Sequence, residues 1–102
     1  MEKIADKYGY DAQSRQLIEE MAELTQAVNK FWRKQLFCGQ RDVLEVPCGT
    51  PEEKHIAEEV ADVEICLEQL KYLLCIKCEV IEFKRQKIER QLKRIAESEG
   101  RK

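Results

Sequence analysis

One hundred and two residues make one domain with room for a modest core. Twenty acidic and 18 basic residues nearly cancel, to a net charge of −2, so a dedicated nucleic-acid surface is not expected. No apolar run approaches the roughly 20 residues that cross a bilayer, and the N-terminus lacks the apolar stretch of a signal peptide, so a cytoplasmic protein without a membrane partner is expected.

Breakers are few. Two prolines and four glycines stand among plentiful Leu, Glu, Lys, Gln, Arg and Ala, a composition for long helices. Met1 to Tyr8 predicts a short amphipathic helix around Ile4, Ala5 and Tyr8, stopped by Gly9. Asp11 or Ser14 then caps a long helix that runs to about Gln35 or Leu36. Its Leu17, Met21, Leu24, Val28 and Phe31 are spaced 4, 3, 4 and 3, one continuous apolar stripe. Gly39, Pro47 and Gly49 mark residues 38–50 as a connecting loop. Thr50, Pro51 and Glu53 then supply an N-cap, a proline at the first helical position and the partner of a capping box.

The next helix carries Ile56, Val60, Val63, Leu67, Leu70 and Leu74 in the same rhythm and fades around Cys75 to Cys78. A last helix runs from about Glu79 to Glu97, with Val80, Phe83, Ile88, Leu92 and Ile95 apolar and Lys and Arg dense elsewhere; residues 99–102 are expected to fray. The expected architecture is all-α, a single domain over residues 1–102: an antiparallel bundle of three long helices plus a short N-terminal helix. Stripes this regular on helices this long need more cover than one small bundle gives, so a homo-oligomer is expected, a homodimer or homotetramer.

The two central helices are alike in a way that carries chemistry. Leu17-Ile-Glu-Glu-Met-Ala-Glu-Leu24 aligns with Ile56-Ala-Glu-Glu-Val-Ala-Asp-Val63 at an offset of 39. Glu20 and Glu23 are three apart, as are Glu59 and Asp62, and residues three apart share a helix face. At about 100° per residue, Glu20 and Glu59 lie roughly 60° to one side of their apolar stripes, and Glu23 and Asp62 about 120° to that same side. In antiparallel packing, equal offsets fall on one flank. The levels agree too: Glu23 to Leu36 is about 20 Å of helix and Pro51 to Glu59 about 12 Å, a difference the loop spans easily. Small residues, Ala27 and Cys66, leave room one turn below each pair.

Four converging carboxylates repel one another unless a cation sits among them. Hard oxygen ligands without His or Cys suit Mg²⁺, with Mn²⁺ as a substitute, rather than Zn²⁺. One E-x-x-E is an ordinary solvated face; two at matching phase beside core stripes point to a metal site.

At these residues the sequence resembles the MazG-like all-α nucleotide pyrophosphohydrolases, whose signature is EExxE on one helix and ExxD on the next. Glu19-Glu20-Met21-Ala22-Glu23 and Glu59-Val60-Ala61-Asp62 match it, as does the wording Gln16-Leu17-Ile18-Glu19-Glu20 and Gln69-Leu70-Lys71. The 35 residues between the motifs are more than the family commonly has, and the excess falls in the 38–50 loop. The resemblance implies Glu20, Glu23, Glu59 and Asp62 as metal ligands and Lys87 and Arg90 as grips for the outer phosphates. It implies Mg²⁺-dependent hydrolysis of a (d)NTP to monophosphate and pyrophosphate, by attack of metal-activated water on the α-phosphorus. Glu19, or one of the four ligands, would orient that water.

Other features are weighed against plainer roles. Asn29 and Trp32, near the end of the first long helix, could bind a nucleobase by hydrogen bonding and stacking, although a Trp at that phase is more often core or subunit interface. Cys38, Cys48, Cys66, Cys75 and Cys78 form an odd set without zinc-ribbon spacing and are expected as free thiols. His55 alone cannot furnish the Glu-x-x-His pairs of a di-iron bundle and is expected at the surface. The competing class is a non-catalytic helical module that binds nucleotides or other proteins.

Overall fold

The computed structural model describes residues 2–37 and 51–100; the 38–50 connection, with Cys38, Cys48 and the Thr50 cap, and the last two residues lie outside it. The described residues form three helices and no strand: α1 (Glu2–Phe37), α2 (Pro51–Leu73) and α3 (Lys77–Glu99). The separate N-terminal helix expected before Gly9 is therefore corrected. It is the first segment of α1, and only Gly9 leaves helical geometry, at φ 80° and ψ 175°. That conformation is open to glycine and strained for any side chain, so helical geometry stops at Gly9 as expected, and it resumes at once beyond a kink, which leaves three elements rather than four. Ser14 is likewise no cap, since its hydroxyl donates to the Asp11 carbonyl inside the helix.

Helices α1 and α2 run antiparallel. Lys34 near the end of α1 pairs with Glu52 at the start of α2. At the other end the Tyr72 hydroxyl donates to Asp6 at 2.9 Å. The seam between them differs from the predicted stripes. Leu17, Val63 and Cys66 are buried, with Leu24 and Leu70 packed against them. Ala27 and Glu59 are buried as well, whereas Met21, Val28, Leu67 and Leu74 are 40–49 % exposed. Each helix is turned by roughly 40–60° toward its acidic side relative to the expected stripe. The acids thus border the seam more closely than expected. The displaced apolar residues form a second, uncovered flank on the opposite side.

The turn into α3 is a Schellman closure: Ile76 N–H donates to the Lys71 carbonyl at 3.0 Å and Cys75 N–H to the Tyr72 carbonyl at 3.2 Å. Cys75 takes the left-handed position at φ 57°, where glycine is the usual occupant. Relieving that side chain is worth about 1 kcal/mol, partly offset by the added freedom of the unfolded chain. Cys75→Gly is accordingly expected to raise Tm by a few degrees in a thermal melt.

Helix α3 runs to Glu99, and Gly100 N–H closes it on the Ala96 carbonyl. It meets α2 only near the turn and does not touch α1. None of its residues is buried. Arg85, bonded to Glu82 and Glu89 at 2.6 and 2.7 Å, braces it along its own surface. Its Ile81, Ile88, Leu92 and Ile95 remain 54–68 % exposed. No helix among the described residues is long and apolar enough to cross a membrane.

Candidate metal centre

Rotation of both helices toward their acidic sides brings carboxylates from two helices together. Oxygen atoms of Glu20, Glu59 and Asp62 all lie within 4.8 Å of one another. Glu59 is only 9 % exposed, and its Oε2 is buried without a hydrogen-bond partner. Glu20 is half-buried: Oε1 accepts a hydrogen bond from Gln16 Nε2 at 2.7 Å, while Oε2 is also buried and unpartnered. Such oxygens carry a substantial desolvation cost unless a donor or cation meets them.

Electrostatics point the same way. Desolvation pushes the Glu20 carboxyl above its ordinary value of 4.5; the Gln16 bond opposes this, and the charges of Glu23 and Asp62 push it further up. Burial, helped by Glu20 and Asp62, also raises the Cys66 thiol above its ordinary 9.0. Cys66 therefore stays a neutral core group beside the acids and offers no thiolate. Three carboxylates, two of them with buried free oxygens and no soft ligand among them, fit a hard divalent cation such as Mg²⁺.

The other expected residues are placed unevenly. Glu23 lies next to Glu20 and, with Glu59, lines a cleft of about 430 Å³, but it stands outside the close trio. Glu19 is exposed, and its helical phase carries it away from α2. Asn29 and Trp32 line a neighbouring groove with Arg33 and Gln26, of which Gln26 also lines the acidic cleft. Lys87 and Arg90 ride on α3, which does not reach α1. Within one chain these four expected substrate contacts do not meet the acids. Cys75 and Cys78 are exposed free thiols, and no cysteine joins the metal-competent cluster among the described residues.

The structure also brings in residues to which the sequence gave no role. Lys30 and His55 line the cleft with Glu23 and Glu59, and Ala27 forms part of its wall. The signal was present in the numbering: Lys30 lies seven residues after Glu23 and His55 four before Glu59, so each repeats its acid's phase one or two turns along. Gln69, seven after Asp62, is 2 % exposed with an unpartnered Oε1, and it extends the polar track along α2. Comparison with protein-family models, with curated proteins and with solved structures finds no match for this chain.

Proposed function

We propose that the protein is a Mg²⁺-dependent nucleoside triphosphate pyrophosphohydrolase that cuts a (d)NTP into monophosphate and pyrophosphate. One observation carries this reading: carboxylates of the two matched acidic motifs converge across the α1–α2 seam with buried, unpartnered oxygens. The likeness of EExxE and ExxD to the MazG-like enzymes supplies the reaction class. Glu20, Glu59 and Asp62 would hold the ion, with Glu23 at its edge. When bound, Mg²⁺ supplies charge that neutralises phosphates and lowers the pKa of water. The carboxylates that do not contact the ion orient the attacking water and accept its proton. The buried wall of Ala27 keeps bulk solvent from one side of the cleft.

The same reading includes self-association. The uncovered flank of Met21, Val28, Leu67 and Leu74 and the bare stripe of α3 are the surfaces a second copy would cover. Light scattering is expected to give a dimer or larger. Ile88→Lys/Leu92→Lys is expected to yield a less stable, smaller species, and a stable wild-type monomer at micromolar concentration would refute the assembly.

The activity is tested by a pyrophosphate-release screen over canonical and modified (d)NTPs with and without Mg²⁺. Metal-dependent release with at least one substrate is expected. No turnover, with metal binding intact, would favour a nucleotide-binding module.

A further inference from the structure

We infer that Lys30 and His55 form the phosphate-binding end of this cleft, holding the pyrophosphate portion of a triphosphate; the inference rests on the proposed metal site. The cleft is bounded at one end by Glu23 and Glu59 and at the other by Lys30 and His55. A smaller pocket of about 120 Å³, lined by Lys30, His55, Pro51 and Glu52, continues it toward the start of α2. Lys30 lines both spaces, and no hydrogen bond fixes its side chain among the described residues. The Lys34 hydrogen bond is the main cause that holds the Glu52 carboxyl below its ordinary value of 4.5, and the Lys30 charge adds to it from a distance. His55 lies one helical turn, about 6 Å, before Glu59 on the same helix face. A polyphosphate chain with its inner phosphate at the carboxylates spans that turn and reaches both side chains.

The order along the groove gives the site a direction. Carboxylates stand where a cation must bridge them to phosphate, and N–H donors, one of them charged, stand where the outer phosphates need partners without a metal; Glu52, beside them, is engaged by Lys34. Lys30 offers a point charge, and His55 offers a ring N–H donor in either neutral tautomer. Lys87 and Arg90 lie on α3, which makes no contact with α1 in the chain. The grip on the outer phosphates is thus built into the same helix pair as the metal site. Both Lys30 and His55 are exposed, so replacing them leaves the seam intact.

The test is calorimetric titration of inorganic pyrophosphate into the full chain with millimolar Mg²⁺, paired with the Mg²⁺-induced thermal shift of the same samples. Lys30→Gln and His55→Gln should each weaken pyrophosphate binding by about tenfold or more, the loss typical of a charge-assisted hydrogen bond. Both should keep the wild-type Mg²⁺ shift, and Lys87→Gln/Arg90→Gln should bind pyrophosphate as wild type does. Pyrophosphate affinity unchanged in Lys30→Gln and His55→Gln, or lost only in the α3 variant, overturns this inference while leaving the metal site standing. Absence of pyrophosphate binding by a wild type that still responds to Mg²⁺ overturns it as well. No Mg²⁺ response in the wild type removes the metal site and this inference with it.

Discussion

Asp62→Asn is expected to lower kcat for (d)NTP hydrolysis by about a hundredfold or more, since it removes a ligand charge from the place where transition-state charge is compensated. The substitution keeps the size of the side chain and changes only its charge and donor pattern. Asp62 is one of three carboxylates within 4.8 Å of one another, so the loss falls on the cluster itself. It is also exposed, so its replacement does not disturb the core formed by Leu17, Val63 and Cys66. Glu64→Gln is the matched control: it lies on the same helix two residues later, turned well away, and should leave the rate unchanged. Steady-state assays of pyrophosphate release decide the matter. Equal rates for wild type and Asp62→Asn would detach the acidic cluster from the chemistry.

Millimolar Mg²⁺ is expected to raise Tm of the wild type and to leave that of Glu20→Gln/Glu59→Gln unmoved. A cation bound only by the folded state stabilises it by mass action. At a hundred times its dissociation constant the gain is about 2.7 kcal/mol, or roughly 10–20 °C for a domain this small. Without metal the double variant should melt above the wild type, because the buried, unpartnered carboxylate oxygens of Glu20 and Glu59 and the repulsion of Glu20 by Glu23 and Asp62 are relieved.

Above pH 4.5, Glu20 gives the metal-free protein a pH dependence of its own. Its carboxyl titrates above 4.5 in the folded state, so folding favours the protonated form. Its favourable contribution is complete below 4.5 and is lost as pH rises through the elevated folded value. Metal-free melts should therefore show stability falling over that window, with the fall reduced in Glu20→Gln and offset by Mg²⁺ in the wild type. Scanning calorimetry across pH, with and without metal, measures both effects. An identical Mg²⁺ response in the double variant would remove the site.

The sequence was most informative where periodicity and chemistry coincide. The positions of α1 and α2 follow from their apolar stripes and the breakers between them, their antiparallel order from the short connection, and the flank shared by the acids from the repeat of Leu17–Leu24 in Ile56–Val63. It was less informative about rotation. The stripe through Met21 and Val28 is the more apolar choice, yet the helix pair places Glu20 and Ala27 at its seam. Binary patterning assumes that one face meets one neighbour. These helices carry two apolar flanks, and the pattern alone does not say which one faces within the chain.

Gly9 stops helical geometry as its place in the sequence suggests, but the chain resumes its helix at once, so the two segments form one kinked element where Asp11 or Ser14 was expected to cap a new one. The end of α2 was hard to place for the opposite reason. Cys75 occupies the left-handed position that glycine ordinarily marks, so the usual signal was absent. Lys30 and His55 went unassigned because a lone cation or imidazole on a helix is ordinarily solvated. Only the cleft makes them neighbours.

The central claim concerns where the triphosphate is cut. Hydrolysis of an accepted (d)NTP in ¹⁸O-enriched water, with Mg²⁺ and mass analysis of both products, locates the attack. Label in the nucleoside monophosphate, with unlabelled pyrophosphate, is the result the account predicts. Label in the pyrophosphate, or release of nucleoside diphosphate and orthophosphate, would contradict it.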